Sequence, residues 1–205
     1  MVRPLFHYAY RQEGVILDQQ YNYQGNLLAA CNSNGEILFY SAESEEQNRE
    51  PVYSSDRKRS DRKNAAILKI AWSLPIFGYF ASASISREID LFTCSKSSIA
   101  EVVCRKMEYI PLALAFCPIE TDPLLAVGLS DGSIVMLNEQ LQQVAAASAH
   151  EEAVNCLAWD HRILAFEKNK WIAANFSHVR KPSGLDDPPL LVSGSSDASL
   201  KLWRW

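Results

Sequence analysis

The sequence has no long apolar run, no excess of basic charge and no paired cysteines. No uninterrupted apolar stretch approaches the ~18 residues needed to cross a bilayer. The N-terminus, Met1 to Tyr10, lacks the apolar segment and cleavage site of a secretory signal. We therefore expect an intracellular protein. Its 24 acidic and 20 basic residues give a net charge of −4, and this argues against nucleic-acid binding, which favours a basic face.

The five cysteines are odd in number, and none forms a C-x-x-C pair. Zinc binding needs thiolates or histidines clustered at ligand spacing, and the sequence contains no such cluster. Cys31, Cys117 and Cys156 fall inside apolar runs that predict strands. We expect buried, reduced thiols that pack as small apolar side chains, with no metal and no other cofactor.

A strand–turn–strand pattern occurs four times. The copies are LLAACNSNGEILFY (27–40), YFASASISREIDLF (79–92), LLAVGLSDGSIVML (124–137) and LLVSGSSDASLKLW (190–203). Alternating apolar residues on both sides of Asn-Gly or Asp-Gly predict a β-hairpin, because the tight turn needs positive φ. The second copy has Ser86-Arg87 at this place, so we expect its turn to be held differently.

A shorter apolar segment that ends in an aromatic residue precedes each hairpin. These segments are LDQQY (17–21), LKIAW (68–72), LALAF (112–116) and NCLAW (155–159). Each predicts another strand with a large side chain for packing between sheets. Repeated sheets of this kind are typical of propeller blades, which usually take ~40–45 residues each. We assign one partial propeller over 1–205, with blades at about 13–40, 66–92, 109–137 and 150–203.

Two segments interrupt the repeat. Residues 43–63 are highly charged and nearly devoid of apolar side chains, which predicts a solvated loop with one short outer strand. Residues 160–189 form a long insertion in the fourth copy, and we expect its aromatic side chains to pack on the parent domain.

The last copy resembles the WD repeat. With His150 upstream it reads H-x-x-x-V-N-C-L-A-W, then L-V-S-G-S-S-D-x-x-L-K-L-W. In that family a histidine, a serine, an aspartate and a tryptophan form a hydrogen-bonded chain within a blade. By position they are His150, Ser193 (or Ser195 on the same face), Asp197 and Trp203. A catalytic triad is disfavoured, because nothing resembles a nucleophile elbow or an oxyanion site.

Further matches narrow the resemblance. Residues 67–84 carry A-W-x-x-P-x-F-G, Tyr23 and Gly25 precede the first hairpin, and the insertion lies in the fourth copy. This combination is similar to the small WD-repeat subunits shared by the COPII vesicle coat and the nuclear pore Y-complex, over roughly residues 13–205. That family has six repeats and this chain shows four. We therefore expect an all-β, open WD-repeat propeller and a fragment of a longer protein.

The resemblance implies a non-enzymatic scaffold with no small-molecule substrate. An α-solenoid coat or nucleoporin subunit would donate one blade by strand addition to an exposed edge. Beside that blade we expect the N-terminal strand LFHYAY (5–10), with Leu5, Phe6, His7 and Tyr8 as contacts. The implied location is cytoplasmic, peripheral to membranes through the coat at ER exit sites and COPII vesicles, or at the nuclear envelope pore.

Other functions stay open at this stage. The first alternative is the function of a WD-repeat nucleoporin that is a sister of the shared coat and pore subunit, or of a subunit in a coat-like nutrient-sensing complex. The second is that of a WD-repeat adaptor for short peptides, although such adaptors normally close their own ring and display arginines at the channel. A propeller enzyme would need convergent acids or a metal set, and the sequence offers neither.

Overall fold

In the computed structural model, residues 13–42, 52–54, 65–94, 99–118, 122–160 and 189–204 are described. Every regular element within these ranges is a β-strand, and the strands form four antiparallel sheets. Sequence neighbours pair throughout, so each sheet is a simple meander. The predicted N-terminal contacts Leu5, Phe6, His7 and Tyr8 lie outside the described residues, as do most of the charged loop and the insertion.

The strands follow the chain sheet by sheet. Sheet 1 contains β1 (Ile16–Tyr21), β2 (Leu27–Asn32), β3 (Ile37–Ser41) and β4 (Tyr53–Ser54). Sheet 2 contains β5 (Ile67–Trp72), β6 (Tyr79–Ser84), β7 (Glu88–Cys94) and β8 (Ile99–Lys106). Sheet 3 contains β9 (Pro111–Phe116), β10 (Leu125–Leu129), β11 (Ser133–Leu137) and β12 (Gln143–Ser148). Sheet 4 contains β13 (Val154–Trp159), β14 (Leu190–Ser195) and β15 (Leu200–Arg204).

Each predicted hairpin forms the second and third strands of a sheet, and each aromatic-ended segment forms the first. The sequence analysis did not assign the outer strands β8 and β12. Their side chains are mostly exposed or half-buried, so they lack the alternation of a strand with one buried face.

The four hairpin turns share one geometry. In each turn the second position has positive φ, with values of 84° at Gly35, 67° at Arg87, 88° at Gly132 and 62° at Ala198. The turn at Ser86-Arg87 shares this backbone geometry but is held by other side chains, as expected. Its Glu88 N–H donates to Ser84 Oγ at 3.3 Å, whereas the Ser133 N–H of the third turn donates to Asp131 Oδ1 at 3.1 Å. The Arg87 N–H donates to the Ser84 carbonyl at 3.1 Å, as the Gly132 N–H does to Leu129 at 3.2 Å. Strand pairing therefore imposes the left-handed conformation on arginine, at about 1–2 kcal/mol.

Consecutive sheets pack face to face through three apolar seams. Seam 1, between sheets 1 and 2, contains Ala29, Cys31, Ile37, Phe39, Ile67, Ile70, Trp72, Phe80 and Phe92. Seam 2, between sheets 2 and 3, includes Ala83, Ile89, Leu91, Leu114, Leu125, Val127 and Leu137. Seam 3, between sheets 3 and 4, includes Ala126, Ile134, Met136, Val154, Trp159 and Leu191. The first strands of all four sheets border a common cavity of about 400 Å³, as inner strands do around a propeller axis.

Seam 3 brings two backbones close together at Gly128. A Cβ atom built on this glycine would lie 2.6 Å from the Val154 Cγ1 of the next sheet. We predict that Gly128→Val lowers the free energy of unfolding by about 1–3 kcal/mol, because the added side chain forces the sheets apart. Urea denaturation measures the loss. Ala146→Val, on the exposed side of β12, is the matched control; equal stability of the two variants would show that this close approach is absent.

Candidate functional site: the polar network and the two ends of the propeller

The sequence-predicted network residues meet in sheet 4. His150 Nδ1 lies 3.0 Å from Asp197 Oδ2, and His150 Nε2 lies 2.8 Å from Ser193 Oγ. The Trp203 indole N–H donates to the same Ser193 oxygen at 2.8 Å. One histidine tautomer satisfies all four groups: Nδ1–H donates to the carboxylate, and Nε2 accepts the Ser193 hydroxyl proton.

Ser195, the alternative on the same face, has other partners. Its hydroxyl donates to the Glu152 carbonyl at 3.0 Å and accepts the Asp197 N–H at 3.1 Å. Ser195 therefore holds the turn, while Ser193 bonds the histidine.

The connectivity of serine, histidine and aspartate matches that of a hydrolase triad, but the serine is inaccessible. Ser193 has 0% exposure, and its oxygen already accepts the indole N–H. A substrate carbonyl carbon cannot approach an oxygen enclosed in this way, since nucleophilic attack needs reacting atoms ~3–3.5 Å apart. These contacts instead connect the hairpin turn, the segment before β13 and the last strand.

The Asp197 carboxylate is the charged member of this network. The Ser199 hydroxyl donates to it at 2.6 Å and holds the pKa of this carboxyl well below its usual range. The Ser199 and Glu151 backbone N–H groups and the His150 ring act in the same direction, while desolvation opposes them.

This lowered pKa predicts how stability depends on pH. The carboxyl binds a proton more readily in the unfolded chain, near pH 4, so the contribution of Asp197 is complete above that pH. It is lost as the pH falls further toward the pKa of the folded state. Urea midpoints at pH 5 and 2.5 should therefore differ less for Asp197→Asn than for the unchanged chain. The same difference in both proteins would contradict the assignment.

The other three sheets lack this network. Hairpin register places Ala30 and Tyr40, Ser82 and Phe92, and Val127 and Leu137 where sheet 4 has Ser193 and Trp203. Ser82 is fully buried, and its Oγ has no hydrogen-bond partner. An unpaired buried hydroxyl costs about 1–3 kcal/mol. An alignment of the four hairpins could have predicted the unpaired Ser82 hydroxyl, because Phe92, unlike Trp203 in sheet 4, provides no ring N–H.

A second recurring contact joins consecutive sheets. The Trp72 N–H of β5 donates to the Gln20 carbonyl of β1 at 3.2 Å. The Trp159 N–H of β13 donates to the Ala115 carbonyl of β9 at 3.1 Å. Each tryptophan ends the first strand of its sheet and reaches the penultimate residue of the preceding first strand.

Sheet 1, the first of the four sheets, is uncovered along its first strand, β1. Tyr21 occupies the position of Trp72 and Trp159, yet 59% of its surface is exposed, and Ile16 at the start of the strand is also exposed. Trp72 and Trp159 are buried, because each is covered by the preceding sheet. Tyr21 is more exposed than these two tryptophans because sheet 1 has no preceding sheet among the described residues.

The cysteine prediction was correct in part. All five thiols are free. Burial raises the pKa of Cys31 and of Cys94 to about 12, so neither ionises at neutral pH. Cys156 is exposed, contrary to expectation. A strand pattern indicates which residues share a face, and it contains no information on whether another sheet covers that face.

Within the described part of the chain, no group of three or more His, Cys, Asp or Glu side chains is arranged to hold a metal ion. The same residues include no helix of the length and apolarity that a membrane span requires.

Comparisons with known proteins agree with the fold. A family model described as "WD domain, G-beta repeat" matches residues 177–204. The chain is similar to the crystal structure of RRP9 WD40 repeats, with a TM-score of 0.61 and 17% identity, over 72% of this chain and 43% of that one. It is also similar to the crystal structure of Saccharomyces cerevisiae Sqt1, with a TM-score of 0.67 and 14% identity, over 95% of this chain and 46% of that one. At these identities they show the fold alone. The protein is therefore an open β-propeller of the WD40-repeat type with incomplete blades.

Curated sequences extend the comparison. "Protein transport protein SEC13" from two strains of Cryptococcus neoformans var. neoformans serotype D is 25% identical over 211 residues, which cover 94% of this chain. The matches cover 60% and 59% of those proteins, so this chain spans about three fifths of their length. This weak similarity supports the family that the sequence motifs indicated.

Proposed function

We propose that this protein is a non-enzymatic scaffold subunit of a vesicle coat or of a nuclear pore Y-complex, completed by a blade from an α-solenoid partner. Two findings support the proposal. The fold is an open WD40-type propeller, and the related Cryptococcus proteins are described as protein transport proteins. The protein then reaches membranes peripherally, as part of its coat or pore assembly.

One observation supports this proposal most strongly, namely the exposure of Tyr21. In sheets 2 and 4 the residue at this position is buried against a preceding first strand. A partner that inserts a blade beside β1 would cover Tyr21 and Ile16 in the same manner. Large aromatic side chains at the centre of an interface often contribute 2 kcal/mol or more to binding, or about 30-fold in affinity.

The test is affinity purification from native cells, with stoichiometry measured by mass spectrometry. We expect a long α-solenoid coat or pore protein in near-equal amount. Tyr21→Ala should weaken its binding about 30-fold and so reduce its recovery, whereas Tyr109→Ala, at an exposed tyrosine away from β1, should leave it unchanged. Recovery of a cullin-type ligase without any coat or pore protein would refute the proposal.

A further inference from the structure

The hairpin turn of sheet 1 contains the one Asn-Gly pair of the sequence, Asn34-Gly35. Asn34 is exposed, and Gly35 has a positive φ of 84°. An asparagine before a glycine is the least hindered place for a backbone nitrogen to attack a side-chain carboxamide, because glycine has no Cβ beside that nitrogen. The pair is therefore a candidate for spontaneous modification, provided that the folded turn leaves the carboxamide free.

The other three turns bind the side chain that stands at the position of Asn34. In sheet 3, Asp131 Oδ1 accepts the Ser133 hydroxyl at 2.7 Å and the Ser133 N–H at 3.1 Å. In sheet 4, Asp197 Oδ1 accepts the same two groups of Ser199, at 2.6 Å and 2.9 Å. In sheet 2, a serine hydroxyl at this position bonds a neighbouring serine and a glutamate. Each of these side chains helps to hold its own turn.

In sheet 1 a different residue, the buried Asn32, holds the turn. Its Oδ1 accepts the backbone N–H groups of Asn34 at 3.0 Å and of Glu36 at 2.9 Å. Its Nδ2 donates to Glu36 Oε2 at 2.7 Å and to the Glu13 carbonyl at 2.9 Å. Among the described residues, the Asn34 carboxamide has no hydrogen-bond partner. The turn keeps its shape without the Asn34 side chain, so the carboxamide is free to react.

The backbone nitrogen of Gly35 is the attacking group, and its hydrogen bond is weak. The Gly35 N–H donates to the Asn32 carbonyl at 3.3 Å, beyond the usual ~2.7–3.2 Å of an N–H···O bond. Gly35 has no side chain that shields this nitrogen. Attack on the neighbouring carboxamide therefore needs little more than the breaking of that long bond.

We propose that Asn34 is a site of spontaneous deamidation in the folded chain. The Gly35 nitrogen loses its proton to a base and attacks Asn34 Cγ, the Cγ–Nδ2 bond breaks, and the amide leaves as ammonia with the proton returned to it. The product is a five-membered succinimide. Water then opens either imide C–N bond and gives aspartate, with the original backbone, or isoaspartate, with a backbone that runs through Cβ and Cγ. No electrons are transferred, and water is the only co-reactant.

The two products differ in their effect on the turn. Aspartate is tolerated, since Asp131 and Asp197 stand at the same position in sheets 3 and 4. Isoaspartate adds a methylene to the backbone and displaces Gly35 relative to Asn32. The backbone has little room for this shift, because a Cβ atom built on Gly35 would lie 2.7 Å from the Ala65 carbonyl, just before β5. Isoaspartate therefore disturbs both the turn and the contact between sheets 1 and 2.

Incubation of the full chain at mildly alkaline pH, followed by peptide mapping with mass spectrometry, tests the site. Isoaspartate is detected with an isoaspartyl methyltransferase and labelled S-adenosylmethionine. Conversion of Asn34 in the folded chain should be within about 10-fold of its rate in the urea-unfolded chain, because one long hydrogen bond must break first. Asn34→Ser, which introduces the serine that sheet 2 has at this position, should abolish the signal. Conversion in the unfolded chain alone, or equal conversion at other asparagines of the folded chain, would overturn the inference.

Urea denaturation of the separated products tests the effect on the turn. The isoaspartate form should unfold at a lower urea concentration than the unchanged chain. Asn34→Asp, which carries the new charge on a normal backbone, should keep the midpoint of the unchanged chain. Equal midpoints for all three proteins would contradict the displaced turn. A midpoint lowered equally in Asn34→Asp would attribute the effect to charge and also overturn this part of the inference.

Discussion

Replacing Phe80 with alanine is expected to lower the free energy of unfolding by about 3–5 kcal/mol. Phe80 is fully buried in seam 1, and its ring meets Trp72 edge-on at a centroid distance of 4.7 Å and Phe39 at 5.2 Å. Removing the ring leaves a cavity and eliminates its contacts with Trp72, Phe39 and Phe92, which help to hold sheets 1 and 2 together. Urea denaturation followed by tryptophan fluorescence measures the loss.

A matched substitution shows whether the seam is responsible. Val102 lies on β8 of the same sheet and is 56% exposed, so Val102→Ala should change stability by no more than about 0.5 kcal/mol. If Phe80→Ala were equally mild, contacts between sheets would not be the main source of stability. The account of a propeller held by its seams would then be wrong.

The second large effect is expected at His150. Replacing it with alanine removes the acceptor of the Ser193 hydroxyl and leaves a void among buried groups. We expect a loss of about 2–4 kcal/mol from the unsatisfied hydroxyl and the cavity together. Urea denaturation of the variant and of the unchanged chain provides the measurement.

A double-mutant cycle with Trp203→Phe separates a network from independent contacts. Phenylalanine keeps an aromatic ring at this position and removes the N–H that reaches Ser193. Because both residues bond the same oxygen, the two losses should be non-additive by about 0.5–3 kcal/mol. Strict additivity would mean that the four side chains stabilise the blade separately.

Much of the fold is predictable from local chemistry. Asn34-Gly35 and Asp131-Gly132 between alternating apolar residues predict two hairpins. The copies that align with them, at 79–92 and 190–203, predict the other two. The turn at Arg87 could not be predicted from its residue type, because strand pairing overrides the cost of positive φ. The outer strands β8 and β12 gave no clear pattern, since neither has a buried face.

The polar network and the interaction surfaces differ in how far sequence determines them. The spacing of His150, Asp197 and Trp203 within one blade indicates the network, because a single sheet brings them together. The side of sheet 4 away from sheet 3 consists of ordinary strand residues, such as Leu200 and Leu202, whose pattern matches that of buried strands in the other sheets. Only the arrangement of whole sheets reveals that nothing in the described chain covers them.

The most direct test of the central proposal, that a blade from a partner covers sheet 1 along β1, is amide hydrogen exchange with and without that partner. In the isolated chain we predict fast exchange in β1 and β15 and slow exchange in the central strands β6 and β10. In the purified complex, exchange in β1 should slow markedly while β6 and β10 stay unchanged. Slow exchange of β1 in the isolated chain, or unchanged exchange of β1 in the complex, would contradict the account.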